Sequence, residues 1–339
     1  MSFSLIRISL LGIFAGTITF AADALQDPAE TWKPLKVEIE RIGGKIEFEA
    51  GNPLLIDLYN GNNPLKGRGG KNDMVNDAWL EKWLTKVLTL KSLSLANCEV
   101  TDAGMASLGN LTELESLNLT LTTVTDEGFK HFGALTNLHT LGLASSKCAG
   151  EGFKHLKAKN LKSVNFHFTP LNDKGLEAIC KVGVTDRFWF AHSHFTDEGA
   201  RHLSKLTKLD SLGIGSTDKG SSGKSVAYLA KLPLRNLSLL DRQADSVGLA
   251  HATRIKTLLK LDLGHAPSIS DQDLMLVAAM PKLEEFLLGG ASKVTEAGIA
   301  SLGKSKSLRK LTLRNLRNVN RDSIDRLAKE RPKLEIVFK

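Results

Sequence analysis

Apolar residues alternate with small polar ones over short windows that return all along the chain. Leu93-Ser94-Leu95, Leu117-Asn118-Leu119 and Leu141-Gly142-Leu143 each put two apolar side chains on one face at strand spacing and a small residue on the other. Aligned on the first apolar residue, the register continues through Val164, Phe188, Leu212, Leu237, Leu261, Phe286, Leu311 and Val337, in steps of 23 to 26 residues. Between these strands the period changes. Val100-Thr101-Asp102-Ala103-Gly104, Val124-Thr125-Asp126-Glu127-Gly128, Asn172-Asp173-Lys174-Gly175 and Phe195-Thr196-Asp197-Glu198-Gly199 place capping side chains where a first helical turn leaves amides free. Apolar residues follow at helical spacing, as in Met105/Leu108/Leu111 and Phe129/Phe132/Leu135. Cys98, Thr122, Ser146, Thr169, Ser193 and Thr217 form a column of small polar residues just after the strands, where a buried turn needs partners for its amides. Each unit therefore predicts strand, turn, short helix and return.

Such a unit cannot bury its own apolar face, so neighbours must stack at roughly 5 Å per coil. A fixed period of this size predicts a solenoid. The LxxLxL pattern followed by VTDxG resembles the leucine-rich repeat superfamily in its helix-containing variety. The units are similar to those of ribonuclease-inhibitor-like and F-box-associated repeat proteins, and to those of secreted repeat proteins of some environmental bacteria. The resemblance spans residues 54–339. It implies a right-handed α/β solenoid of about eleven to twelve coils, curved, with a parallel sheet on the concave face and short helices on the convex face. For function it implies protein recognition, since this fold hosts many roles.

The ends depart from the repeat. Residues 1–24 carry Arg7, an apolar run over 8–20, and Ala21, Ala22 and Ala24, the pattern of a signal peptide. Export to the periplasm, cell envelope or exterior is the expectation, with cleavage or retention as an anchor left open. Residues 25–58 are assigned as an N-terminal cap and first solenoid strand. They hold a brief amphipathic turn (Val37, Ile39, Ile42), an edge strand over 45–49, and Ile56/Leu58 as the first inward pair. Residues 59–74, rich in Gly and Asn, read as an inserted loop. The repeats proper occupy 75–300, starting with a helix from Asn76-Asp77 through Trp79, Leu80, Trp83 and Leu84, and 301–339 form basic C-terminal repeats and cap.

Charge is unevenly placed. The net charge is +8, from 45 Lys+Arg and 37 Asp+Glu. The last 39 residues hold twelve basic and four acidic side chains, so residues 1–300 cancel at 33 against 33. Lys310, Arg314, Arg317 and Arg321 are accordingly candidates for contact with an anionic envelope polymer or lipid, against the alternative of a solvated cap. No nucleic-acid partner is expected. The three cysteines follow no metal or redox spacing. Cys98 and Cys148 fall about two coils, roughly 10 Å, apart, beyond disulfide reach. Buried free thiols are expected, with Cys180 at a helix end as the one that exposure would make reactive.

Two stretches imitate chemistry. Residues 220–225 (GSSGKS) lie between a strand and a helix, as a phosphate-binding loop does, but Asp218 stands where that loop requires glycine. An irregular turn in place of the usual helix start is the expectation. His192-Ser193-His194 with Asp197, Glu198 and His202 is the densest set of metal-ligand types. Ser193 belongs to the buried column, so the two rings need not converge. No catalytic, cofactor or metal site is predicted. The concave face begins with small polar residues (Ser92, Ser94, Ser116, Asn118) and becomes richer midway. Asn165, His167, Trp189, His192, Leu240 and Asp262 form the candidate partner-binding set, with Trp189 as an anchor because aromatic residues dominate small hot spots. The sequence thus predicts a non-enzymatic exported scaffold binding a protein. The alternative is an envelope structural protein attached through its basic end; oligomeric state is left open.

Overall fold

The computed structural model describes residues 28–59 and 72–339. The expected signal segment and the greater part of the loop over 59–74 lie outside the described residues. In chain order the strands are β1 (Lys45–Glu49), β2 (Asn52–Asp57), β3 (Asn72–Asn76), β4 (Ser92–Ser94), β5 (Cys98–Glu99), β6 (Ser116–Asn118), β7 (Thr140–Gly142) and β8 (Ser163–Asn165). They continue as β9 (Arg187–Ser193), β10 (Ser211–Ser216), β11 (Asn236–Asp241), β12 (Lys260–Leu263), β13 (Glu285–Gly289), β14 (Lys310–Arg314) and β15 (Glu335–Phe338). Thirteen form one open sheet in which spatial order follows chain order; β3 and β5 pair separately. Only β1 is antiparallel to its neighbour, so twelve parallel strands remain, one for each coil of an α/β solenoid.

The alternation in the sequence explains the register. Leu93, Leu117, Leu141, Val164 and Phe188 occupy one in-register row and are all buried, while the residues on either side of each face outward. At the last coil the register differs from the sequence reading. Leu311 pairs with Ile336, so Ile336 and Phe338 face the core and Val337 falls in the outward row. A slip of one residue exchanges the faces of a strand, and three consecutive apolar residues leave that choice to the pairing partner.

The coils are fastened by their aspartates. Asp102, in the first turn after β5, accepts the backbone N–H and hydroxyl of Thr125 in the next coil at 2.8 and 2.7 Å. Asp77 binds Thr101 in the same way, Asp173 binds Thr196, Asp197 binds Ser222 and Asp271 binds Thr295. The hydroxyl residue caps its own helical turn, as when Thr125 Oγ1 accepts from Glu127 N–H. The motif therefore does two jobs: threonine caps within a coil and aspartate ties it to the next. Its glycine follows from the same contact. A Cβ at Gly199 would lie 2.0 Å from Asp173 Oδ1, and one at Gly298 2.2 Å from Asp271 Oδ1.

The stretch 220–225 is a member of this ladder and not an irregular turn. Ser222 takes the threonine's place, bonding Asp197 and capping Lys224 N–H. Fully buried Gln243 fills the loop behind it, accepting from Ser216 N–H at 2.8 Å and donating to Ser221 Oγ and the Ser222 carbonyl. The small polar column is likewise shifted by one there: Ser216 is buried and pairs with Ser193, whereas Thr217 is exposed.

At the N-terminus the brief amphipathic turn is a 14-residue helix, Pro28–Arg41, which lays Leu35 and Ile39 on the first coil. Val37 points to solvent instead, 59% exposed. Trp79 Nε1–H, from the helix Asp77–Leu84, donates to Glu38 at 3.2 Å and locks this cap to the following coil. Arg41, bonded to the same carboxylate, holds Glu38 below the usual carboxylate range. All three cysteines are free and buried, Cys180 included, and burial pushes each thiol up to about 12. A thiol-specific reagent such as Ellman's should therefore leave the native protein unmodified at neutral pH and titrate all three groups in denaturant; prompt native reaction at Cys180 would show that its helix end opens.

Candidate functional site

One strand shapes the middle of the concave face by leaving two of its outward positions without side chains. β10 reads SLGIGS, and Gly213 and Gly215 are its outward positions. Trp189, in register beside Gly213, lies across that bare backbone: a Cβ on Gly213 would sit 2.3 Å from Cε3 of the indole. From the other side Leu240 and Asp241 lean over Gly215, where a Cβ would meet Asp241 Oδ2 at 2.6 Å and Leu240 Cβ at 2.8 Å. All six residues of β10 are consequently buried, although one face of the strand belongs to the outer surface of the sheet. Trp189 remains half-buried.

The same gap lets a carboxylate cross a whole coil. Asp241, at the end of β11, accepts the backbone N–H of His192 through Oδ2 at 2.7 Å, and its Oδ1 lies 3.0 Å from His192 Nδ1. His192 and Asp241 both adopt positive φ, +53° and +49°, at the ends of β9 and β11. Phe168, at the corresponding place one coil earlier with φ +56°, stacks on the imidazole with ring centroids 4.3 Å apart and planes at 15°. It is 61% exposed. Phe168, His192 and Asp241 thus form a rigid ridge along one rim of the sheet, with Trp189 lying inside it.

His167 stands between ridge and indole, its ring 6.1 Å from that of Trp189 and 6.2 Å from that of Phe168. Burial depresses its pKa, the neighbouring His192 adds to the effect, and Asp241 opposes it. Its Nδ1 is buried without a hydrogen-bond partner. The folded protein therefore holds His167 neutral where the unfolded chain, near 6.5, takes up a proton. Stability present above that value is lost as pH falls through it. Melting temperature measured between about pH 7.5 and about pH 5.5 should drop more in the wild type than in His167→Gln; equal slopes would remove His167 as a source of acid sensitivity.

The remaining predicted residues divide. Asn165 is engaged internally, its Oδ1 accepting from His167 N–H at 3.0 Å to shape the turn. Asp262 lies in the same row as Trp189, reached through Gly213 and Ser238. Burial raises its pKa, opposed by the Ser238 hydroxyl, Lys260, the Gly264 backbone and Arg314. His192 and His194 are exposed on either side of fully buried Ser193. Among the described residues, no group of three or more His, Cys, Asp or Glu side chains is placed to hold a metal ion.

The basic candidates are not brought to one surface. Lys310 and Arg314 stand on β14, with Lys310 paired to Glu335 at 2.7 Å. Arg321 begins the convex helix Arg321–Glu330 and pairs with Asp325 at 3.2 Å, and Arg317 is in the intervening turn. Arg326 and Arg309 are likewise matched by Glu296 and Glu284.

Phe168 and Asp241 are the residues that sequence reasoning missed. Their column contains Asn97, Leu121, Ser145, His192 and Asn315, all at positive φ. Asn tolerates that conformation and aromatic residues rarely adopt it, so a Phe in a column of turn residues was the available signal.

The leucine-rich repeat family, described as "Leucine Rich repeat", matches residues 88–109 and 157–180. Among solved structures, an internalin from Listeria monocytogenes is similar over 91% of this chain and 94% of its own, at 13% identity and a TM-score of 0.46. The yeast Rad7–Elc1 complex contains a chain similar over 79% of both, at 15% identity and a TM-score of 0.45. A leucine-rich repeat protein from Leptospira interrogans is similar over 78% of this chain and 88% of its own, at 16% identity and a TM-score of 0.41.

Proposed function

We propose, from the premise that this chain is a leucine-rich repeat protein, that it is an exported, non-enzymatic scaffold which grips a protein partner on its concave face. The observation that carries the reading is the exposed aromatic ridge along the rim of that face, midway along the solenoid. Phe168 projects into solvent, stacked on an imidazole that Asp241 holds in place, near a Trp189 that leans over glycine. Rigid aromatic groups surrounded by small residues are the make-up of an interface anchor, because they lose little side-chain entropy on binding. The turn that presents Phe168 places a bulky residue at positive φ, a conformation that costs free energy, and still leaves the side chain 61% exposed. Export rests on the pattern of residues 1–24, which supports a periplasmic, envelope or extracellular location.

The experiment is capture from envelope extract of the source cell by the purified protein, at low and at high salt. A partner retained at high salt and lost with Phe168→Asn supports the reading. Capture confined to low salt and abolished by neutralising Arg314 and Arg317 would replace it with attachment to an anionic polymer or lipid.

A further inference from the structure

We propose that the pocket between the Trp189 indole and the Asp262 carboxylate seats one cationic side chain, arginine or lysine, of the protein partner. The inference rests on reading the concave face as the protein-binding surface and names the chemistry of one seat on it. Trp189, Gly213, Ser238 and Asp262 follow one another in a single row across β9 to β12. The indole leans over Gly213 from one end, and Asp262 stands beside Ser238 at the other. What remains between them is a pocket of about 190 Å³ whose walls also include Ser211, Asn236 and Lys260. It is of a size for one side chain, with an aromatic face, hydroxyl groups and a carboxylate.

Charge decides the occupant. Among the described residues Asp262 has no ion-pair partner, although it is half-buried. The nearest ammonium, Lys260, is directed to Glu285, with Nζ 3.2 Å from Oε2. The Lys260–Glu285 pair is neutral as a unit, which leaves Asp262 as the unmatched charge facing the pocket. A half-buried carboxylate opposite an indole suits a cation twice over, by direct pairing and by attraction to the aromatic face. Guanidinium fits better than ammonium, since its planar fork stacks on the ring while its N–H groups reach the carboxylate and the hydroxyls. An acidic side chain would face Asp262 with like charge, and a purely apolar one would leave that carboxylate desolvated and unpaired.

The test uses nitrogen-15-labelled protein, with the Trp189 indole N–H resonance identified by its disappearance in Trp189→Phe. The probes are N-acetylarginine amide, its norleucine counterpart and its glutamate counterpart, each up to about 50 mM, far above a millimolar dissociation constant. The arginine probe should shift the Trp189 resonance saturably and leave those of Trp32, Trp79 and Trp83 in place. Asp262→Asn should weaken it at least about five-fold, and Lys260→Ala, which takes a cation from the pocket wall and leaves Glu285 unpaired, should tighten it. The second variant keeps the test decisive should Asp262→Asn fail to fold. Equal binding of norleucine, or no movement of the Trp189 resonance, overturns the cationic seat. Partner capture that needs Phe168 but ignores Asp262→Asn does the same and leaves the scaffold reading intact. Arginine binding at Trp189 by a protein that captures no partner would defeat the scaffold reading and not the seat.

Discussion

Asp126→Ala should lower unfolding free energy by about 3 kcal/mol, the largest loss expected from any single surface carboxylate in this chain. Asp126 accepts three main-chain N–H groups of the following coil, from Ala149, Gly150 and Gly152, at 2.9, 3.0 and 2.8 Å. In other coils a threonine, serine, asparagine or aspartate caps its own turn, as Thr125, Ser222, Asn172 and Asp245 do; here Gly150 occupies the capping place, with φ +94° and no side chain. Removing the carboxylate therefore strands three half-buried donors with no local substitute, at about 1–3 kcal/mol each before relaxation. Asp126→Asn retains one acceptor oxygen and should lose only about 1 kcal/mol. Urea unfolding would measure both. Since solenoid coils hold only their neighbours, hydrogen exchange at Ala149, Gly150 and Gly152 should quicken before distant coils respond. A loss under about 1 kcal/mol for the alanine variant would show that the ladder is not what fastens the coils.

Phe168→Asn should abolish partner capture, a loss of at least about 2 kcal/mol in binding, while unfolding stays within about 0.5 kcal/mol of wild type. Asparagine already holds this conformation at Asn97 and Asn315 of the same column, so the substitution removes the ring without disturbing the turn. Trp189→Ala should behave differently. It should weaken capture comparably, and it should also destabilise the fold by about 1–2 kcal/mol, because the indole is the cover of β10. The pair separates contact from support. Normal capture by Phe168→Asn with loss by Trp189→Ala would move the anchor from the ridge to the indole; loss of stability in Phe168→Asn would make the ridge structural.

The architecture was legible in the sequence because its determinants are local and repeated. A two-residue alternation, a change to helical spacing and a capping motif recur every 23 to 26 residues, and each copy independently specifies the same coil. Where local signals were balanced the reading slipped. Three apolar residues at 336–338 gave no unique phase, and β14 chose it. The motif 220–225 looked irregular because serine replaced threonine, and its role appeared only once Asp197 of the previous coil was seen beside it.

The candidate site was legible only in part. Trp189, His167 and His192 could be placed on the concave face from periodicity alone. That periodicity has nothing to say about Asp241, 49 residues from His192, reaching it across a glycine strand. It also could not reveal that Asn165 turns back on its own backbone, or that Lys310 and Arg321 stand on different elements and are each met by a carboxylate. By itself, then, the amino-acid sequence determined the coil, its stacking and the face each repeated position takes, since these depend on neighbours a few residues away. Tertiary structure alone decided which side chains meet across coils, because such contacts depend on what intervening residues lack: two missing side chains, at Gly213 and Gly215, bring the indole, the imidazole and the carboxylates into one site.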